Sequence, residues 1–257
     1  MKQRIITASW ALLIFIPILI YGNWPFTVLL YALATIALIE FMRMGKIPLF
    51  SFPALLAIAV LWLLLDRNLM TFFTKAEWLM LFVLLILAFT VVIKNKFTFE
   101  NAGFVILATI YVGMGFYYFL ETRADGLAKI FFVLLLVYAT DTGAYFVGKA
   151  LGKHKLWPEI SPNKTIEGAI GGIVLAAIVG IVFQLMYPFE LSMSAVLGVT
   201  VLVSIFGQVG DLVESAFKRH FGVKDSGNIL PGHGGILDRF DSLIFVFPML
   251  HFIQFIH

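Results

Sequence analysis

The sequence predicts an all-α, polytopic integral membrane protein of about nine transmembrane helices, with its N-terminus in the cytoplasm. Three observations predict it: an apolar composition, apolar runs that recur at membrane-spanning length, and basic residues sorted into alternate gaps between those runs. Hydrophobic residues fill 61% of the 257 positions and charged residues 13%, about half the roughly 25% charge of a soluble domain. Runs at 5–20, 26–39, 78–93 and 131–137 each approach, with their flanks, the length that crosses about 30 Å of hydrocarbon.

Helices are expected at 5–21, 24–41, 49–65, 77–93, 103–120, 129–147, 168–187, 195–217 and 240–255. The first follows Lys2 and Arg4 as a signal peptide would. Positions 14–24 offer no small-x-small cleavage site and further spans follow, so it reads as a retained helix. Numbering the gaps alternately sorts the cations. The N-terminus and the second, fourth, sixth and eighth gaps hold fourteen of the eighteen Lys and Arg, and the opposite side keeps Arg67, Lys75, Arg123 and Lys129. Under the positive-inside rule this asymmetry puts both long polar loops in the cytoplasm and His257 outside, as expected of a multi-pass cell-membrane protein. The chain reads as one transmembrane domain over 1–257, with an apolar helical scaffold at 1–128 and the catalytic helices and cytoplasmic loops at 129–257.

Composition also excludes. There is no cysteine, which removes disulfides, thiolate metal sites and thiol catalysis. A formal net charge of +3 is too small to point to nucleic acid. No inverted repeat of the kind many transporters carry is evident. In the seventh helix Gly168, Gly172, Ala176 and Gly180 recur every four residues, a stripe that lets another helix approach closely. Gly143 to Ala150 fits G-x-x-x-x-G-K. A phosphate loop needs a strand before it and a Ser or Thr after the lysine, whereas here a membrane helix precedes it and Ala150 follows.

Charge concentrates beside the last two spans. Ser204, Gln208, Asp211, Glu214, Ser215 and Lys218 fall on one stripe of the eighth helix, and the intervening positions are mostly apolar. Asp211 lies about 24 Å along that helix at 1.5 Å per residue, near the cytoplasmic boundary. Ionisable groups at that depth are costly and usually functional; a solvated helix end is the bland alternative. Downstream, Pro231 and the four glycines between Gly227 and Gly235 forbid a regular helix and are expected to leave backbone N–H groups free to approach phosphate. Asp238, Arg239 and Asp241 then open the ninth helix, where carboxylates suit the helix dipole with or without a further role. Five acids and four bases lie between 211 and 241. Carboxylates on two helices suit a hard cation such as magnesium, and Lys and Arg suit phosphate oxygens; ion pairing among themselves is the alternative.

These residues carry a family resemblance. Ser215-x-x-Lys218-Arg219-x4-Lys224-Asp225-x-Gly227-x-x-Leu230-Pro231-x-His233-Gly234-Gly235-x-x-Asp238-Arg239-x-Asp241 resembles the signature of phosphatidate cytidylyltransferases, also called CDP-diacylglycerol synthases. Length, multi-span character and the C-terminal place of the motif fit as well. The N-terminal half matches only in being hydrophobic.

A second polar loop joins the sixth and seventh spans, with Asp141-Thr142-x-Ala144-Tyr145 before it and Ser161-Pro162-Asn163-Lys164-Thr165-x-Glu167-Gly168 after it. Ser161 before Pro162 reads as a helix N-cap with proline at the first helical position. Lys164 with Ser161 and Thr165 at a helix N-terminus equally suits phosphate. Similar segments accompany the C-terminal motif in the family, which favours the functional reading.

The resemblance implies that the phosphate of phosphatidate attacks the α-phosphorus of CTP, releasing pyrophosphate and leaving CDP-diacylglycerol in the bilayer. It implies Mg2+, with a second cation left open, on Asp211 and Asp238, with Asp141, Glu214 and Asp241 as further ligands. Lys218, Arg219, Lys224 and Arg239 would hold phosphates, with Lys164, Ser161, Thr165, Gly234 and Gly235 completing the binding surface. His233 would donate a hydrogen bond, protonate the leaving group or structure the loop. The expected partners are CTP, phosphatidate and the bilayer, with a homodimer left open. Three rivals remain at this point: a cation-coupled transporter, a CTP-dependent transferase or kinase for another lipid, and a non-catalytic scaffold.

Overall fold

The computed structural model describes residues 2–67, 74–229, 232 and 234–256, side chains from residue 9 onward. Among them run nine α-helices and one short hairpin: α1 Lys2–Tyr21, α2 Asn23–Met44, α3 Phe52–Leu65, α4 Lys75–Val92, α5 Phe99–Ala124, α6 Leu127–Leu151, β1 Lys155–Trp157, β2 Ser161–Thr165, α7 Ile166–Met186, α8 Met193–His220 and α9 Leu237–Phe252. Six of them, α2 and α4 to α8, are long and apolar enough to cross a membrane. The 14 residues of α3 extend about 21 Å at 1.5 Å per residue, short of the roughly 30 Å hydrocarbon core. The chain divides into two compact units: Met1–Leu120 with Asp225–Asp238, and Glu121–Lys224 with Arg239–His257.

In the first unit, consecutive helices α1 to α4 pack on one another. The inner face of α2 buries Leu30, Ala34, Leu38 and Phe41, a spacing of three or four that keeps one side of the helix covered. Phe41 meets Phe104 and Tyr111 of α5 edge-on, with ring centroids 6.1 and 6.0 Å away. At the start of α4, Thr74 accepts from Glu77 N while Glu77 accepts from Thr74 N, a capping box that satisfies exposed helix-end amides. Glu40, on this same α2, is fully buried.

The second unit is organised by close helix approach. The stripe on α7 packs against α6: a Cβ at Gly168 would lie 2.8 Å from the carbonyl oxygen of Ala144, and one at Gly172 would lie 2.8 Å from that of Thr140. Gly180 faces the side chain of Thr200 on α8, so the small residues serve packing, as their spacing predicts. Gly143 of the false phosphate loop belongs to this seam too, since a Cβ there would meet Gly171 O at 2.6 Å. A buried bond from Thr140 Oγ1 to Ser204 Oγ, 2.9 Å long, ties α6 to α8. The far ends of α7 and α8 are joined by a turn that Gln184 closes: it donates to Phe189 O and Leu191 O and accepts from Phe189 N.

The hairpin departs from the sequence expectation. Ser161 is not an N-cap. It pairs with Trp157 across an antiparallel ladder that also pairs Lys155 with Thr165. The cap of α7 is Thr165, whose hydroxyl accepts from Gly168 N at 3.1 Å. Pro162 therefore sits in an edge strand of a two-stranded sheet, with one side unpaired, a position that tolerates its missing N–H.

Candidate active site

The second unit holds a polar cavity. Ile205 and Val209 of α8 are exposed while Ser204 and Glu214 are buried, so the polar stripe of this helix turns inward and brings Gln208 and Asp211 to α6, α7 and the hairpin; Gln208 Nε2 donates to Ala169 O at 3.3 Å. With Asp141 and Tyr145 of α6 and Asn163 and Lys164 of β2, these residues line a cavity of about 480 Å³, a size that suits a small ligand. Lys164 Nζ lies 2.7 Å from Asp211 Oδ2, with both side chains partly exposed. The other carboxylate oxygen, Asp211 Oδ1, accepts from Ser215 Oγ at 3.4 Å, one turn further along α8.

Two more carboxylates share this field. Asp211 is an electrostatic neighbour of both Asp141 and Asp241, and Asp141 is one of Asp241. Gly210 permits the approach, because a Cβ there would lie 2.8 Å from the carbonyl oxygen of Asp241. The countercharges are Lys164 and Arg239 beside Asp141 and Lys218 beside Asp241. Three acids are thus held against three bases on four elements, an arrangement that folding alone makes costly and that charged ligands would relieve.

In the first unit the glycine-rich segment folds around two carboxylates. Asp238 Oδ2 accepts from Ser226 N, Ser226 Oγ and Gly235 N at 2.9, 2.9 and 2.8 Å. Glu40 accepts from Ile236 N at 2.9 Å, Leu237 N at 2.8 Å and Ser226 Oγ at 3.1 Å. The glycines make room for these acids: a Cβ at Gly227 would lie 2.6 Å from Glu40 Oε1, and one at Gly234, where φ is +87°, would collide with Asp238.

Comparison with known proteins agrees with this chemistry. The family model described as "Cytidylyltransferase family" matches residues 2–257. The chain belongs to the cytidylyltransferase family. Phosphatidate cytidylyltransferase of Bacillus subtilis (strain 168) is 52% identical over 261 residues, covering 98% of this chain and 97% of the relative. Phosphatidate cytidylyltransferase of Staphylococcus haemolyticus (strain JCSC1435) is 51% identical over 254 residues, covering 98% of each. That of Staphylococcus aureus (strain COL) is 48% identical over 260 residues, again 98% of each.

For a cytidylyltransferase, the placement of the residues expected from sequence is informative. The cavity brings together Asp141, Lys164, Thr165 and Asp211. Asp241, Arg239 and Lys218 join its field. Glu214 is fully buried and pairs with Lys218 one turn away. Arg219 donates Nε to Ile160 O and Nη1 to Val223 O, each at 3.3 Å, which ties the hairpin to the end of α8. Ser161 lies in β2, and Lys224 is exposed. His233 lies outside the described residues, as do Leu230 and Pro231.

The expectation that the glycine-rich backbone leaves its amides free is corrected at Gly235. Its N–H, like those of Ser226, Ile236 and Leu237, is already taken by Asp238 or Glu40. Glu40 was missed altogether by sequence reasoning. The signal was present: one acid in an apolar span is expensive there and is usually placed for a purpose.

Among the described residues no three His, Cys, Asp or Glu side chains converge on one metal position. The donor set still fits magnesium, which commonly takes one or two carboxylates and completes its octahedron with water and substrate phosphate. Asp211 with Asp141 or Asp241 supplies such a pair of hard oxygen donors.

Proposed function

We infer that this chain transfers the CMP of CTP to phosphatidate, giving CDP-diacylglycerol and pyrophosphate for phospholipid synthesis. The observation that carries the reading is the end-to-end match, at about half identity, to proteins named phosphatidate cytidylyltransferase. In the reaction a phosphate oxygen of phosphatidate forms a bond to the α-phosphorus of CTP, and the bond from that phosphorus to the bridging oxygen of the β-phosphate breaks. A phosphate monoester is already ionised at neutral pH, so no strong base is needed. Positioning and charge neutralisation supply the catalysis.

The cavity of the second unit suits that task. Lys164 and Arg239 neutralise triphosphate and lipid phosphate, with Lys218, Arg219 and Lys224 on the same C-terminal stretch. Ser161 and Thr165 frame the hairpin end of the binding surface. Mg2+, alone or with a second cation, would sit on Asp211 with Asp141 or Asp241, and when bound it would offset charge on the phosphates. Asp238, through Oδ1, remains a candidate ligand, while Oδ2 shapes the glycine-rich loop with Gly234 and Gly235. His233, outside the described residues, would donate a hydrogen bond, protonate the leaving group or structure the glycine-rich stretch.

The reading includes nine membrane crossings, with the N-terminus and this cavity on the cytoplasmic side. The support is the placement of fourteen of eighteen cations in alternate gaps. A boundary position also suits the substrates, since a diacyl lipid leaves the bilayer at high cost and CTP does not enter it.

The test follows phosphorus. Purified protein with phosphatidate, Mg2+ and CTP labelled at the α-phosphate should place the label in the lipid product; CTP labelled at the γ-phosphate should place it in pyrophosphate. Transfer of the γ label to lipid would make the protein a kinase and overturn the reading.

A further inference from the structure

We propose that Glu40 is a positioning residue for cytidylyl transfer, a carboxylate supplied by the N-terminal helices that fixes the shape of the glycine-rich loop. The proposal rests on the cytidylyltransferase reading for its kinetic part and on geometry alone for the rest.

Glu40 sits in the interior of α2, a helix otherwise apolar enough to span a membrane, and it has no exposed surface. A buried carboxylate is retained only where donors meet it. Here the donors come from residues nearly two hundred positions away in sequence: Ile236 N to Oε1, and Leu237 N and Ser226 Oγ to Oε2. Ile236 and Leu237 lead into α9, where amides lack partners within the helix and where negative charge is favoured. The carboxylate therefore grips the end of the loop in a manner an apolar side chain could not copy.

The loop is shaped to receive it. Gly227 and Gly235 each lack the Cβ that would fall about 2.5 Å from Glu40 oxygens. The Ser226 hydroxyl lies between two acids, 3.1 Å from Glu40 Oε2 and 2.9 Å from Asp238 Oδ2, so Glu40 also sets the place of Asp238. The next residue along the chain is Arg239, followed by Asp241, both in the field of the cavity carboxylates. A loop released at Ile236 and Leu237 would deliver those two side chains with a spread of orientations. Loss of orientation of this kind lowers turnover more than it weakens binding.

The experiment compares the full-length protein with Glu40→Gln, Glu40→Ala and, from the loop side, Ser226→Ala, in detergent with phosphatidate, CTP and Mg2+. Glu40→Gln keeps one acceptor oxygen, so kcat is expected to fall about tenfold for Gln and about a hundredfold for Ala, with KM for CTP changed less than threefold. Amide hydrogen exchange across 226–237 should rise in both Glu40 variants, while exchange in α7, in the other unit, stays as in the parent. Ser226→Ala, which leaves the backbone donors in place, should give a smaller rise in exchange and a smaller fall in kcat. Unchanged loop exchange in Glu40→Ala overturns the proposal whether or not the protein turns over CTP. Faster loop exchange with an undiminished kcat overturns it too. A parent protein that makes no liponucleotide contradicts the cytidylyltransferase reading, and with it the kinetic part, while the exchange result still decides the loop part. If Glu40→Ala does not fold, Glu40→Gln and Ser226→Ala decide by the same two readouts.

Discussion

Lys164 on the short hairpin and Asp211 on α8 hold each other at 2.7 Å in the lining of a polar cavity, with about a quarter of one side chain and a third of the other exposed. An ion pair this open contributes at most about 1 kcal/mol, so its retention is better explained by what each charge does for a ligand. Lys164→Gln should leave the thermal midpoint in detergent within a few degrees of the parent. It should also raise KM for CTP and lower kcat/KM at least about tenfold, the order of a lost charge-assisted phosphate contact.

Asp211 and Asp238 separate by role. Asp211→Asn removes charge from the cavity and should lower turnover at least about a hundredfold, with unfolding little changed. Asp238→Asn should lower turnover by a similar factor but also loosen the glycine-rich loop, because Oδ2 there receives three hydrogen bonds. Limited proteolysis at 226–238 distinguishes them: cleavage that increases for Asp238→Asn and not for Asp211→Asn is the expected pattern.

The small residues between α6 and α7 permit a sharper stability test. A Cβ at Gly172 would stand 2.8 Å from the carbonyl oxygen of Thr140, and backbone cannot step aside as a side-chain tip can. Gly172→Leu should cost at least roughly 1–3 kcal/mol, as overpacking of a tight interface does, and lower the thermal midpoint. Ser192→Ala, which removes the cap accepting from Ala195 N at 3.2 Å and a 3.0 Å contact with Ser194 Oγ, should cost about 1 kcal/mol and leave kcat unchanged.

Most of the architecture was legible because apolar length and four-residue spacing are strong signals. All nine expected helices are present among the described residues, with ends shifted by a few positions, and the Gly168 to Gly180 stripe packs as its spacing implied. The hairpin was not legible, since Ser161-Pro162 obeys the rule for a helix start and nothing local announces that Thr165 caps α7 instead. Within the site, Asp141, Lys164 and Asp211 were readable as charges beside membrane spans, and the cavity unites them. Glu214 lies on the stripe that the sequence marks as polar, and folding adds what the stripe alone does not say, that Lys218 pairs with it one turn on. Glu40 was underread because a single acid in an apolar run has no spacing to announce it; its partners at 226, 236 and 237 are found only once the chain has folded.

Orientation has its own measurement, helped by the absence of cysteine from the sequence. Single cysteines at Lys153 and Arg67, both exposed, should react differently with a membrane-impermeant maleimide added to intact cells. Lys153→Cys should be labelled only after the membrane is opened, and Arg67→Cys before. The reverse pattern would turn the protein over in the membrane and place the cavity outside.

The most direct measurement is the initial rate of CDP-diacylglycerol formation by purified parent protein and by Asp211→Asn, with phosphatidate, CTP and Mg2+ all in excess. The account predicts liponucleotide and pyrophosphate in equal amounts from the parent, and a rate at least about a hundredfold lower from the variant. Equal rates from the two would remove Asp211 and its cavity from the chemistry, and no liponucleotide from the folded parent would contradict the account as a whole.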